Sequence, residues 1–126
     1  MVNIRQKVLN AKDIRSEIVV VPEWDDVKIE VRGFTLQERL DFYGRVSDGE
    51  TINRDHFLPE LVISSAHDPE TGQKVFEAAD RDMLKTKSAS ALERITAVAM
   101  GLSGLQDTDV VEAEKDLEDT PTDGLL

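Results

Sequence analysis

The sequence predicts an α+β domain that is predominantly α-helical: a small N-terminal antiparallel β-hairpin, then a helical bundle, then an acidic, flexible C-terminal tail. Three observations lead there. Residues 27–32 alternate in period two, with Val27, Ile29 and Val31 on one side and Lys28, Glu30 and Arg32 on the other. A capped amphipathic segment follows at once, and Leu92, Ile95, Val98, Ala99 and Leu102 recur at helical spacing further on. Aromatic residues are only 5 % of the chain against 40 % hydrophobic overall, so the core rests on Leu, Ile, Val and Ala. That composition suits helix packing better than an aromatic-rich sandwich. The length of 126 residues fits one domain, placed at 1–106, with the tail at 107–126.

Taken in order, residues 3–11 form a short helix with Ile4, Val8, Leu9 and Ala11 on one side. The runs 18–21 and 27–31 pair as a hairpin around Pro22-Glu23-Trp24-Asp25-Asp26, a loop too long for a tight two-residue turn. Trp24 then covers one end of the sheet or projects outward. Gly33 breaks the alternation, Phe34 packs back as a staple, and Thr35-Leu36-Gln37-Glu38 reads as a capping box opening a helix over 36–46. That helix is expected to place Leu36, Leu40 and Tyr43 on its inner stripe, with Arg39 and Asp41 turned away. Ser47-Asp48-Gly49 stops it.

Pro59 suits the first turn of the next helix, where its missing N–H costs nothing, with Leu58, Leu61, Val62 and Ser65 inward. Residues 61–76 also fit a β-hairpin around the turn Asp68-Pro69-Glu70-Thr71-Gly72; helix then turn is the favoured reading. A helical turn over 80–84 follows. Ser88 or Ser90 then caps the last helix, which ends at Gly101 and Gly104. The apolar turn Ala97-Val98-Ala99-Met100 puts this helix at the centre of the core or against a partner. The expected core is Val27, Ile29, Val31, Leu36, Leu40, Leu61, Leu92, Ile95, Val98 and Leu102.

Charge narrows the function classes. From Asp107 onward there are eight acids against Lys115, a net of −7, so the rest of the chain carries −4 of the total of −11. An acidic chain with no Lys/Arg stripe is a poor ligand for a phosphate backbone, which argues against nucleic acid. The tail reads as a solvated extension or a docking arm, with a transient helix over 110–117. With no cysteine there are no disulfides or thiolate metal sites, in keeping with a cytoplasmic location. The first ten residues mix Arg5 and Lys7 with scattered apolar positions, unlike a signal peptide or a membrane span.

Catalytic readings are weak throughout. His56 and His67 sit beside Asp55 and Asp68, but their spacing matches no compact metal motif, leaving a metal-dependent hydrolase as the least favoured reading. Gly101-Leu102-Ser103-Gly104 is one residue short of a nucleophile elbow and ends a helix rather than following a strand. Nothing holds Glu23, Asp25 and Asp26 as an acid–base pair, and the dispersed glycines form no phosphate cradle. No enzyme, metal or cofactor is expected.

The order Val21-Pro22-Glu23-Trp24, then Val27 to Arg32 in alternation, then Phe34-Thr35-Leu36-Gln37-Glu38-Arg39, resembles the tail assembly chaperones of long-tailed bacteriophages. The later run 61–66 with Asp68 and Gly72 continues the likeness, and Ser90, Leu92, Arg94, Ala99, Leu102, Gly104 and Leu105 complete it, so that it spans roughly residues 14–105. The resemblance implies a non-enzymatic factor that holds the tape measure protein soluble while tail tube protein polymerises around it. In many members a ribosomal frameshift adds an extension that contacts the tail tube protein; this chain would be the short product. An apolar face for the client and a charged exterior are both present. Trp24, Phe34, Tyr43 and Met100 are the expected partner-binding residues, with core burial the competing role for each. The alternative function is a structural or adaptor component that stays in the finished phage particle.

Overall fold

The structure, a computed structural model, describes residues 3–105. The boundary expected near residue 106, the acidic segment and the helix expected over 110–117 lie outside the described residues. Helix α1 (Ile4–Leu9) is capped by Asn3, whose side-chain oxygen accepts from the Arg5 and Gln6 amides. It buries none of its residues, and Ile4 is 76 % exposed. Strands β1 (Ser16–Val21) and β2 (Val27–Arg32) pair antiparallel as the expected hairpin, with Val21 opposite Val27 and Ser16 opposite Arg32. This register turns Val19, Val21, Ile29 and Val31 inward. The connecting loop is a 3-10 turn, Pro22–Trp24, followed by Asp25 and Asp26 at φ of 60° and 58°.

Val27 departs from the expected core. It opens β2 beside the loop and lines a surface groove at 44 % exposure. Helix α2 (Leu36–Val46) has the expected capping box: the Glu38 amide donates to Thr35 Oγ1 at 3.1 Å and the Thr35 amide to Glu38 Oε1 at 2.8 Å. Its inner face, however, is set by Phe42 and Val46, both fully buried, with Tyr43 half-buried. Leu36 and Leu40 are 65 % and 54 % exposed, which corrects their placement in the core. The two stripes lie roughly 100° apart on the helix, and burial goes to the wholly apolar one, whose Phe42 meets two further rings. Phe42 packs against Phe34 at 5.6 Å and Phe57 at 5.3 Å, a contact no leucine on the other stripe can replace.

A two-stranded ribbon, β3 (Ser47–Asp48) and β4 (Thr51–Ile52), turns the chain at Gly49, where φ is +75°. Helix α3 (Arg54–Ser65) then starts earlier than expected, because the Asn53 side chain accepts from the Asp55 amide and caps it there. Pro59 therefore lies inside the helix rather than in its first turn. Everything from residue 59 to residue 67 is buried. Such all-round burial marks α3 as the central helix, packed against α2, α4 and α5.

The favoured helix-then-turn reading holds for the segment after Leu61. It runs from α3 into the short strand β5 (Ala66–His67), which pairs with β2 and sets the sheet order β1-β2-β5. Past the 68–72 turn the chain also bridges back, His67 to Lys74, so a fragment of the alternative hairpin is present too. A 3-10 turn, Ala78–Asp80, leads into α4 (Arg81–Leu84). Helix α5 (Ala89–Ser103) is capped by Ser88, whose Oγ accepts from the Ala91 amide, and ends on Gly104 at φ +73°. Leu92, Ile95 and Ala99 are buried, while Val98 and Leu102 are only partly so and pack on the core from its margin. Helices α3 and α5 contact the sheet.

Candidate partner-binding surface

The four residues expected to meet a partner fall into separate surroundings. Trp24 ends the 3-10 turn and stacks edge-on against Phe76, ring centroids 6.2 Å apart. Phe34 and Tyr43 are brought together through Phe42, whose ring lies 5.6 Å from one and 5.7 Å from the other. Met100 is on α5, away from both groups in sequence and packed against the core margin. All four are half-buried.

Around Trp24 the surface is concave. Two adjoining depressions of about 750 and 400 Å³ share the Trp24–Phe76 pair. The larger continues over Val27, Ile29 and Val75, and the smaller over Met83 and Leu84. Val27, Val75 and Met83 are 44 %, 43 % and 60 % exposed, so the floor is apolar and open to solvent. Asp26, Asp68 and Glu70 also line the larger depression, together with the single base Lys28, so its charged lining is acidic on balance.

The loop that presents Trp24 is anchored rather than loose. Glu23 accepts from Arg94 Nε on α5 at 2.9 Å, and that hydrogen bond to the guanidinium holds the Glu23 carboxyl below its usual range. Pro22 presets the first position of the 3-10 turn. Sequence reasoning found Trp24 but missed Phe76, Val75 and Met83. The available signal was the apolar pair Val75-Phe76 just after the Gly72 turn, where the returning chain must lie against β5.

A second exposed apolar region was also missed as such. β1 is an edge strand, and Ile18 and Val20 on its outer side are 52 % and 46 % exposed. The uninterrupted run Ile18-Val19-Val20-Val21 was the signal, since a strand apolar on both faces has something to cover on each. The two histidines weighed for the least favoured metal reading lie apart in the fold: His56 is in the first turn of α3 and His67 is buried in β5. Among the described residues no three His, Asp or Glu side chains lie close enough to hold a metal ion. Nor is any described helix long and apolar enough to cross a membrane. His67 Nδ1–H donates to the Ser65 carbonyl at 2.9 Å, and burial pushes the imidazole below its ordinary pKa.

No family model matches the sequence, and no curated protein does either. Among solved structures, the tail assembly chaperone of bacteriophage HK97 superposes with a TM-score of 0.52. The match covers 79 % of this chain and 96 % of that one at 22 % identity. An antiparallel hairpin leading into a capped helix, a central helix buried from residue 59 onward and a closing helix thus make up, in this chain, the fold of the HK97 tail assembly chaperone.

Proposed function

We propose that this protein is a phage tail assembly chaperone that binds the tape measure protein in the bacterial host cytoplasm, keeps it soluble and assists tail tube polymerisation around it. The observation that supports this reading is the fold shared with the HK97 chaperone over 96 % of that protein's length. The apolar groove at Trp24 and Phe76, with Asp26, Asp68 and Glu70 outnumbering Lys28 in its larger part, suits a long helical client that carries basic residues beside its apolar face. The protein acts by binding and release, without a chemical step. Large apolar side chains carry most of the energy in such recognition, which makes Trp24 the first contact to test, with Phe34, Tyr43 and Met100 beside it.

The experiment is co-expression with the tape measure protein, reading the soluble client by pull-down. Trp24, Phe34, Tyr43, Met100 and Met83 are changed singly to Ala, and the melting temperature is measured on the same preparations. A residue that serves the client loses pull-down and keeps its melt, whereas a packing residue loses both. If the wild-type protein fails to retain the client and is found in stoichiometric amounts in mature particles, the chaperone reading fails and the protein is a structural component.

A further inference from the structure

The N-terminal arm has the composition of a binding segment, and helix α1 buries none of its residues. Ile4, Val8 and Leu9 of α1 are 76 %, 65 % and 64 % exposed, and Ile14 is 43 % exposed. Between them stand Arg5, Lys7, Lys12 and Arg15, opposed only by Asp13. Within a chain of net charge −11 this is a local concentration of positive charge on an apolar strip. Residues 107–126 are its chemical complement: eight acids against Lys115, interleaved with Val110, Val111 and Leu117.

The fold brings the root of the arm close to Leu105, the last of the described residues. The Gly33 amide donates to the Arg15 carbonyl at 2.9 Å, which fixes the root of the arm. On its other side Gly33 lies against the last turn of α5: a Cβ built there would sit 2.6 Å from the Leu102 carbonyl oxygen. Leu105, one turn beyond, is buried. Leu105 therefore lies within about a helical turn of the point where the arm enters β1. A chain of about 20 residues reaches roughly 65 Å when extended. The arm, a helical turn and a half followed by six linking residues, needs only about 30 Å.

We propose that residues 107–126 dock back on the arm formed by residues 3–15 of the same chain, acids against Arg5, Lys7, Lys12 and Arg15 and apolar side chains against Ile4, Val8 and Leu9. Tethering supplies an effective concentration on the order of millimolar, so even a weak contact keeps the arm covered. The contact is a surface one and is screened by salt on the Debye scale. It shields an apolar strip that would otherwise stay exposed.

Trypsin reads this directly, because it cuts after the arm's own bases. In the full chain, cleavage after Lys7 and Lys12 is compared with cleavage after Lys85 and Lys87, which are exposed and remote from the acidic segment in sequence. The variant Glu112→Gln, Glu114→Gln, Asp116→Asn, Glu118→Gln, Asp119→Asn removes five charges without shortening the chain. We expect the ratio of arm to reference cleavage to rise at least fivefold in this variant, and to rise likewise in the wild type at 0.5 M salt. Carbodiimide crosslinking of dilute wild-type protein should join Lys7 or Lys12 to an acid of 107–123 within one chain. An unchanged ratio together with no such crosslink overturns the proposal, and crosslinks found only between chains, growing with concentration, overturn its intrachain form.

Discussion

Glu60 is a charged residue almost lost from water, and two arginines reach it from different helices. Arg45 Nε on α2 lies 3.1 Å from Oε1, and Arg81 Nη1 on α4 lies 3.6 Å from Oε2. Arg45 also donates through Nη2 to Ser64 Oγ, one turn along α3. The Glu60 side chain is 5 % exposed, but those of Arg45 and Arg81 are 40 % and 34 % exposed. This asymmetry decides what each substitution costs. In Glu60→Gln the shape stays and the charge goes, while both arginines can turn to water. Discounting a charge-assisted bond for that exposure leaves about 1–2 kcal/mol. In Arg45→Met a buried carboxylate keeps only the longer Arg81 contact and the Ser64 hydroxyl loses its donor, which raises the cost to about 2–3 kcal/mol. For a body of this size each kcal/mol lowers the melting temperature by roughly 4–8 °C. Urea and thermal unfolding of the two variants and of the double variant measure both costs and their coupling. Equal or reversed costs, or a coupling below about 0.5 kcal/mol, would show that the clamp does not join α2 to α3 as described.

Other outcomes follow from single positions. Ile95, fully buried on α5, should not tolerate Asp: an unpaired buried charge costs several kcal/mol, comparable to the whole stability, and a surviving cooperative melt would misplace that helix. Gly33→Ala drives a methyl group to within 2.6 Å of the Leu102 carbonyl oxygen, so the β2–α2 link must shift, at a cost of about 1–3 kcal/mol; an unchanged melt would rule out that close approach. His67 gives a pH dependence. Burial lowers its pKa, aided by Arg32 and Lys74 and opposed by the Ser65 carbonyl and Glu30. Its folded value thus lies below its unfolded one, so its contribution is complete above about pH 6.5 and is lost as pH falls through the folded value. Melting temperatures between pH 7.5 and 5 should fall with acid in the wild type and less steeply in His67→Gln; parallel profiles would refute the assignment.

What the sequence made legible was periodicity and capping, and what it hid was which of two apolar stripes turns inward. The β1–β2 hairpin follows from alternation, and the start of α2 from Thr35 and Glu38, because each signal lies within a few residues of the structure it sets. The rotation of α2 does not. Leu36, Leu40 and Tyr43 form as regular a stripe as Phe42 and Val46, and the choice goes with contacts outside the helix, from Phe34 before it and from Phe57, fifteen residues beyond Phe42 on α3. Pro59 misled for a related reason. Its cost inside a helix is one hydrogen bond and some crowding, and all-round burial from residue 59 onward, together with the Asn53 cap, outweighs it. The partner surface shows the same division. Trp24 could be picked out as a large side chain in a loop, but the groove it lines exists because a turn at Gly72 returns Val75 and Phe76 to the open end of β2. A binding surface of this kind is made by three segments far apart in the chain, so its residues carry no local pattern of their own. What they share is apolar character at positions where the local pattern alone would permit burial, and only packing reveals that the burial is incomplete.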